Sequence, residues 1–319
     1  MNVVNPGQPI LSVVLPFYNE ADHVGRVLTA IPAAIEPLQL PFEIIMVDDG
    51  STDGTWSELQ TLCHRDARLQ AVRFSRNFGK EAALSAGLAK ARGQAVITMD
   101  GDLQHPPEVI ARLVARWQRG DVDIVDAVKR HANRGGPLKN LAATLFYTLH
   151  RRLTGMEMNG SSDFKLLDRR VVSVLNTMGE RRLFFRGLCD WLGFRRDLVT
   201  FDVADRVGGR SKWSLKQLLR LALNGITAFT SAPLHVTTGL GCLFLAFSAP
   251  LAVQTLYMKL TAQAVSGFTT VILLLLMLGS AILISLGIIG IYIAQIFDEV
   301  KARPRYLVSE QSETGEGRS

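Results

Sequence analysis

The chain of 319 residues has 35 lysines and arginines against 29 aspartates and glutamates, which gives a formal net charge of +6. Its basic residues cluster beside two long uncharged stretches near the C-terminus, which indicates anionic membrane lipid as a partner and argues against nucleic acid. The three cysteines lack metal-type spacing and suggest no disulfide, as expected in a reducing compartment.

Three short apolar runs near the N-terminus predict strands of an α/β sheet, and polar residues follow each of them. The runs are Ile10–Leu15, Phe42–Val47 and Ala71–Phe74. Ligands of open α/β sheets bind at the carboxyl ends of the strands, where an aspartate can accept hydrogen bonds from a ribose or a base edge. The polar residues of interest at these ends are Tyr18, Glu20, Asp48, Asp49 and Lys80.

A fourth apolar run, Ala95–Met99, is the most informative because two aspartates follow it at once. Asp100 and Asp102 repel each other on one tight turn unless a cation lies between them. Hard oxygen ligands of this kind suit Mg²⁺ or Mn²⁺ carrying a diphosphate. Taken alone, such a pair is more often a solvated acidic turn, but the apolar run and the three companion strand ends favour the metal site.

Two uncharged stretches predict a membrane hairpin. No charged residue lies between His235 and Lys259 or between Lys259 and Asp298, and a membrane-spanning helix needs roughly 20 apolar residues. We expect helices over about Leu234–Met258 and Phe268–Phe297, with a buried globular hairpin as the alternative. Two further segments, Leu138–Leu153 and Leu215–Ile226, have apolar residues at helical spacing, and for them an interfacial helix competes with core packing.

The charge pattern around the hairpin predicts its orientation. Basic residues precede and follow the two stretches, whereas the connecting loop offers only Lys259. Both termini and the α/β domain should therefore be cytoplasmic. Ile10–Leu15 is too short for the core of a signal peptide. The flanking basic residues are Arg206, Arg210, Lys212, Lys216, Arg220, Lys301, Arg303 and Arg305.

Four motifs carry a resemblance to a known family. Pro16–Glu20, Val47–Asp53, Arg76–Lys80 and Asp100–Gln104 together resemble the inverting family 2 glycosyltransferases with the GT-A fold, a Rossmann-like nucleotide-sugar domain. Three more motifs narrow the resemblance to polyprenyl-phosphate glycosyltransferases, especially the bactoprenol (undecaprenyl-phosphate) glucosyltransferases of bacteria. These motifs are Ser162–Arg169, Glu180–Phe184 and Gly209–Trp213, and the resemblance spans about Leu11 to Leu307.

The resemblance implies a reaction and a location. It implies inverting transfer of a hexose, with glucose from UDP-glucose expected, to polyprenyl phosphate, giving a lipid-monophosphate sugar for cell-envelope glycan modification. The enzyme would be a multi-pass protein of the bacterial inner (plasma) membrane, would use Mg²⁺ or Mn²⁺, and could form a homo-oligomer, a tetramer in the family. GDP-mannose or a UDP-amino sugar as donor, and a non-enzymatic membrane-tethered nucleotide-sugar sensor, are the alternatives.

Site residues follow from the resemblance and from charge. The resemblance implies nucleotide binding by Pro16, Tyr18, Glu20, Asp48, Asp49, Lys80 and Asp100, a metal on Asp100, Asp102 and Gln104, and catalysis by Asp102 and Asp163. For Tyr18, core packing is an alternative. The cations proposed for the acceptor phosphate are Lys129, Arg130, Arg134, Lys139, Arg206, Arg210 and Lys212, with lipid-headgroup binding without catalysis as the alternative.

Asp163 matches the family position of a general base, yet the proposed chemistry does not demand one. A phosphate monoester has a second pKa of about 6 and is largely dianionic at neutral pH, so no proton has to be removed from it. We therefore expect Asp163 to orient the acceptor site or a cationic partner such as Arg130 or Lys212. A helix-capping aspartate before residues 164–169 is the alternative.

Two positions depart from the family pattern. Gly101 stands where relatives usually carry a larger residue, and Gly290–Gln295 lacks an acid and a base that relatives often have, which bears on oligomer contacts. The expected organisation is a GT-A domain over residues 1–200, an interfacial segment over 201–232, two transmembrane helices over 233–300 and a cytoplasmic tail over 301–319. We expect the polar residues from Ser309 onward to be disordered.

Overall fold

The computed structural model of the protein describes residues 9–102, 105–129, 162–180, 184–201, 232–261 and 267–312. The chain forms two compact units. Among the described residues, the first unit comprises residues 9–201 and 303–312, and the second comprises residues 232–302.

The first unit is an α/β domain. Its described strands are β1 (Leu11–Phe17), β2 (Phe42–Asp48), β3 (Leu69–Phe74), β4 (Ala95–Thr98), β5 (Ile124–Lys129), β6 (Lys165–Asp168), β7 (Arg196–Phe201) and β8 (Val308–Gln311). Its described helices are α1 (Ala21–Ile35), α2 (Thr55–Arg65), α3 (Lys80–Lys90), α4 (Val109–Trp117), α5 (Arg169–Thr177) and α6 (Phe185–Trp191), with a 3₁₀ turn at Glu36–Leu38.

The strands form one mixed sheet in the order β7-β5-β6-β4-β1-β2-β3-β8. β1 pairs in parallel with both β2 and β4, so the strand order reverses between β1 and β4. Ligands of doubly wound sheets bind at such a reversal, outside the carboxyl ends of the strands. The register pairs Phe17 with Asp48 and Val14 with Thr98, which places the segments that follow β1, β2 and β4 at the same edge.

Apolar sequence runs account for the central strands. β2 and β4 are buried along their whole length, and β1 is buried except at Pro16, which is only partly exposed. Continuous apolar runs are typical of strands that are covered on both faces. α1 covers one face with a stripe that includes Val24, Leu28 and Ile31, spaced for one side of a helix. The predicted α/β class and the predicted strands β1 to β4 are confirmed.

The C-terminal segment corrects one expectation. Residues from Ser309 were expected to be disordered, but β8 pairs antiparallel with β3 and returns the chain to the sheet. The indole of Trp56 donates a 2.9 Å hydrogen bond to Glu310, and the ring of Tyr306 stacks on Phe74 with centroids 4.8 Å apart. The expectation of disorder is therefore wrong for residues 309–312, because pairing with the edge strand β3 supplies main-chain hydrogen-bond partners that this short polar sequence lacks by itself.

The second unit contains two long helices, α7 (Ala232–Leu260) and α8 (Phe268–Val300), close to the two predicted stretches. One segment among the described residues, Met277–Val300, is long and apolar enough to cross a membrane. Its mean hydropathy is 2.2, and none of its residues is buried within the protein. The helices of the predicted hairpin are thus present, whereas two membrane crossings stay a prediction. The predicted interfacial segments, 138–153 and most of 201–232, lie outside the described residues.

The stacked pair of Tyr306 and Phe74 gives a test of the C-terminal segment. Tyr306→Ala removes the ring that covers the buried Phe74, so we expect a loss of ~1 kcal/mol or more in stability, or roughly 2–4 °C in the unfolding midpoint. Tyr306→Phe keeps the stacked ring and serves as the control. Thermal unfolding of the detergent-solubilised full chain measures the difference, and equal midpoints for the two variants would contradict the packing role.

Candidate functional site

Acidic side chains gather where the strand order reverses. Glu20 follows β1, and Asp100 and Asp102 follow β4 on the adjacent strand. Burial is the main cause, and the negative charges of Asp102 and Asp100 the next, that together raise the pKa of Glu20 to about 7. Its Oε2 atom is buried and has no hydrogen-bond partner among the residues that the structure describes. The edge of the sheet therefore carries an excess of negative charge that a cation would relieve.

The turn after β4 offers a set of metal ligands. Ligand atoms of Asp100, Asp102 and His105 lie within 4.8 Å of one another. His105 is 3% exposed, and its ring packs at 5.1 Å from the ring of Phe164. Carboxylates suit Mg²⁺ and Mn²⁺, and an added imidazole is compatible with Mn²⁺. The chemistry of these residues fits a divalent cation, and the predicted metal ligation by Asp100 and Asp102 stays a prediction. The third predicted ligand, Gln104, lies outside the described residues.

Sequence reasoning missed His105. The signal was present, because His105 follows Asp102 by three residues in the sequence. A lone histidine near an acidic pair is weak evidence of a third metal ligand unless the position of its ring is known. The structure gives that position, because the ring of His105 packs against Phe164 and Phe201.

Gly101 leaves room for Phe17 under the acidic turn. A Cβ atom at Gly101 would lie 2.5 Å from Cε1 of the Phe17 ring, which is too close for two carbon atoms. Phe17 is the last residue of β1 and is 2% exposed. The departure from the family pattern at Gly101 therefore has a local reason, since the aromatic ring occupies the space that a larger residue would need.

Lys80 connects the acidic turn to Asp163. It is the first residue of α3, and its ammonium pairs with Asp100 and lies 2.5 Å from Oδ2 of Asp163. Burial disfavours the charge on Lys80, but the carboxylates of Asp163 and Asp100 outweigh burial and raise the pKa of the lysine. Lys80 is thus a fixed positive charge between two acidic groups that come from different strands.

Asp163 is held by three partners. Arg186 donates two hydrogen bonds to its carboxylate, from Nε at 2.6 Å and from Nη2 at 2.8 Å, and Lys80 is the third charged contact. The hydroxyl of Thr98 donates to the main-chain oxygen of Asp163 at 2.6 Å. Burial would raise the pKa of Asp163, but Arg186 and Lys80 prevail and hold it well below its usual range.

The suggested alternative for Asp163 as a helix cap is wrong. Residues 165–168 form β6, and the helix that follows is capped by Asp168, whose side chain accepts a hydrogen bond from the Arg170 N–H. The suggested partners Arg130 and Lys212 lie outside the described residues. Arg186 was not predicted, because it lies 23 residues from Asp163 and belongs to none of the quoted motifs.

The other predicted nucleotide-binding residues line the ends of β1 and β2. Asp48 is buried and accepts a 2.9 Å hydrogen bond from the Ser51 N–H. Asp49 accepts hydrogen bonds from the main-chain N–H groups of Phe78 and Gly79, which ties this turn to the loop before α3. Both carboxylates organise loops in this structure, and their contact with a nucleotide stays a prediction.

Tyr18 and Pro16 complete this edge. The side chain of Tyr18 is 46% exposed, so the core-packing alternative for it is wrong. Pro16 lies in β1 and is partly exposed. Of the predicted acceptor cations, Lys129 ends β5; the others lie outside the described residues, namely Arg130, Arg134, Lys139, Arg206, Arg210 and Lys212.

Comparison with known proteins places these features in a family context. The model of glycosyl transferase family 2 matches residues 12–176. An uncharacterized glycosyltransferase of Synechocystis sp. is 40% identical over 305 residues, which cover 94% of this chain and 95% of that protein. The bactoprenol glucosyl transferase of Shigella phage SfII is 37% identical over 306 residues, with 94% and 97% covered.

Among solved structures, mannosyl-3-phosphoglycerate synthase from Rubrobacter xylanophilus is similar with a TM-score of 0.47 and 21% sequence identity. The match covers 69% of this chain and 72% of that protein.

The contact between Gly101 and Phe17 yields a prediction for the acidic turn. Gly101→Ala should displace the turn or the ring and weaken Mn²⁺ binding by ~10-fold or more, as loss of support behind metal ligands commonly does. The double variant Phe17→Leu/Gly101→Ala provides space and should recover part of the affinity. Titration with Mn²⁺ followed by electron paramagnetic resonance measures both. Unchanged affinity in Gly101→Ala would show that the turn does not depend on this contact.

Proposed function

The chain belongs to glycosyltransferase family 2 and is a glycosyltransferase, and from this premise we propose that it transfers glucose from UDP-glucose to a polyprenyl phosphate with inversion. The product would be a lipid-monophosphate sugar for modification of a cell-envelope glycan. The proposal is supported by one observation: the carboxylates of Asp100 and Asp102, which could hold a divalent cation, lie beside the ion-paired Lys80 and Asp163 at a single edge of the sheet.

This arrangement suits a donor with a diphosphate leaving group. A divalent cation bound by Asp100, Asp102 and His105 would neutralise the negative charge that develops on the departing nucleoside diphosphate. Lys80 places a fixed positive charge next to that position, and the exposed ring of Tyr18 is available to a nucleotide. Catalysis by charge stabilisation and positioning of this kind needs no covalent intermediate on the protein.

Asp163 orients the acceptor side of the site in this proposal. A carboxylate whose pKa is held far below its usual range by Arg186 and Lys80 is a weak proton acceptor at neutral pH. A phosphate monoester is already largely dianionic there, with a second pKa of about 6, so a strong base is not required. The attacking oxygen belongs to the acceptor phosphate, and Asp163 fixes the cations around it.

The lipid acceptor and the membrane location rest on separate support. Relatives named bactoprenol glucosyl transferases share 37% identity with almost the whole chain, and α8 exposes apolar side chains along its length. We propose that α7 and α8 anchor the protein in a bacterial inner membrane with the catalytic unit and both termini in the cytoplasm. Anionic lipid would contact the basic flanks, and a homo-oligomer is the expected assembly.

The direct test of the proposed function is a donor panel. Membranes containing the full chain are incubated with undecaprenyl phosphate and labelled UDP-glucose, GDP-mannose or a UDP-amino sugar, and organic-soluble label is counted. We expect label from UDP-glucose at least ~10-fold above the other donors, because a site that binds particular hydroxyl and amino groups rejects analogues strongly. Preference for another sugar would correct the donor, and no label from any donor would contradict the polyprenyl acceptor.

Metal removal tests the acidic turn. EDTA should abolish transfer, and Asp102→Asn should lower turnover by ~10²-fold or more, because charge stabilisation of the leaving diphosphate is lost. Asp22→Asn, at an exposed position of α1, is the matched control and should behave as wild type. Activity is measured after chelation and again after Mn²⁺ is restored. Full turnover in EDTA would contradict the metal assignment.

The pH profile of Asp163→Asn separates orientation from proton removal. An orienting carboxylate is needed in every protonation state of the acceptor, so the variant should be slower at all pH values. A base would matter only while the acceptor phosphate retains its proton, so its loss would be rescued above a pH of about 6–7. Initial rates between about pH 5.5 and about pH 8.5, from roughly half a unit below that pKa to roughly two and a half units above it, measure the profile. Recovery to wild-type turnover at high pH would establish Asp163 as a base.

A further inference from the structure

Helix α6 carries Arg186 but cannot fix its own position. It has seven residues, Phe185–Trp191, and a helix of this length is not stable by itself in water. Its first N–H group, on Phe185, donates a 3.0 Å hydrogen bond to the carboxylate of Glu81 in α3. Its other end is held by Asp190, which pairs with Arg196 of β7. The location of Arg186 therefore depends on contacts that lie outside the helix.

A buried cluster of four charges supplies the second of these contacts. The cluster consists of Asp126, Lys165, Asp190 and Arg196, which lie on β5, β6, α6 and β7. Lys165 Nζ is 3.0 Å from Oδ1 of Asp126, and Arg196 Nη2 is 2.5 Å from Oδ2 of Asp126. The cluster sums to zero charge.

Burial makes this cluster selective for one arrangement. The side chains of Lys165 and Asp126 are 0% and 1% exposed, and that of Asp190 is 4% exposed. These three charges have lost their water and need their partners, whereas the side chain of Arg196 is 27% exposed. A displacement of α6 would therefore leave Asp190 as a buried charge without compensation. The ammonium of Lys165 also lies 5.6 Å from the centre of the Phe185 ring, which adds a contact at the first turn of the helix.

The side chain that α6 presents is suited to a carboxylate. Arg186 binds both oxygens of Asp163 through two parallel hydrogen bonds, a geometry that fixes the plane of the carboxylate. Lys80 contacts only Oδ2 and would allow that plane to rotate. Arg186 is therefore the group that determines the orientation of Asp163, and the four-charge cluster determines where Arg186 lies.

We propose that Arg186 is a positioning residue for Asp163, and that the buried cluster of Asp126, Lys165, Asp190 and Arg196 holds α6 where Arg186 reaches that carboxylate. The kinetic part of this inference rests on the proposed transfer to polyprenyl phosphate. Its structural part, the immobilisation of Asp163, is measurable without any substrate.

Substitutions at Arg186 give the first test. Arg186→Gln in the full chain should lower kcat for transfer by ~10²-fold with little change in the KM for the nucleotide sugar, the pattern of an interaction that matters in the transition state. Arg186→Lys keeps one positive charge without the two-point contact and should recover part of the loss. Arg112→Gln, at an exposed position of α4, is the matched control and should equal wild type. Equal kcat for Arg186→Gln and wild type would overturn the proposal.

A double variant tests whether the cluster acts through Arg186. Asp190→Asn should lower kcat. Arg186→Gln/Asp190→Asn should be no slower than Arg186→Gln alone, because the buried cluster then has no Arg186 side chain to position. Multiplied losses in the double variant would show that Asp190 acts by another route. They would refute the coupling between the cluster and Arg186.

Amide hydrogen exchange measures the structural part independently of transfer. In Arg186→Gln, the peptide covering residues 162–166 should exchange several-fold faster than in wild type, whereas Arg112→Gln should leave it unchanged. Unchanged exchange in Arg186→Gln would overturn the positioning role even if activity fell. A wild-type enzyme that transfers no sugar to polyprenyl phosphate would contradict the proposed function instead, and hydrogen exchange would still decide the role of Arg186.

Discussion

The crowding of carboxylates at one edge of the sheet is the constraint on which the site depends. Glu20, Asp100, Asp102 and Asp163 come from three different strand ends, and their mutual repulsion is costly unless cations lie among them. Among the described residues, Lys80 pairs with Asp100 and with Asp163, and Arg186 also pairs with Asp163. The ligand atoms of Asp100, Asp102 and His105 lie close enough together to suit a divalent ion that carries a diphosphate.

The fold delivers this crowding through its topology, and the buried ion cluster preserves it. The strand order reverses between β1 and β4. The segment with Glu20 and the segment with Asp100 and Asp102 therefore begin side by side, at the carboxyl ends of these two strands. Close packing also restricts the acidic turn, because the ring of Phe17 occupies the space that a side chain at Gly101 would need. On the other side of Asp163, a neutral set of four buried charges joins three strands to α6. Charge balance thus operates twice, once at the exposed edge and once within the core.

The sequence predicted those parts of the structure that local patterns determine. Continuous apolar runs predicted β1 to β4. The acidic residues after β4 predicted a metal on that turn, which stays a prediction, although the ligand atoms there do lie close together. It did not predict β6, β7 or β8, whose sequences are short or rich in charge and whose partners are distant along the chain. Arg186 was missed for the same reason, because only the folded sheet brings α6 to Asp163. Local sequence predicted a nucleotide contact for Asp49, which stays a prediction, and it did not show that Asp49 accepts hydrogen bonds from the loop before α3.

A crystal or cryo-electron microscopy structure of the full chain with Mn²⁺ and UDP tests the central claim most directly, with the ion located by anomalous scattering where crystals allow. We expect Mn²⁺ between Asp100 and Asp102, in contact with the diphosphate, with Asp163 still paired to Arg186. Bound UDP without an ion at this turn, or an ion held by other residues, would contradict the claim that carboxylate crowding exists to bind a cation and its diphosphate.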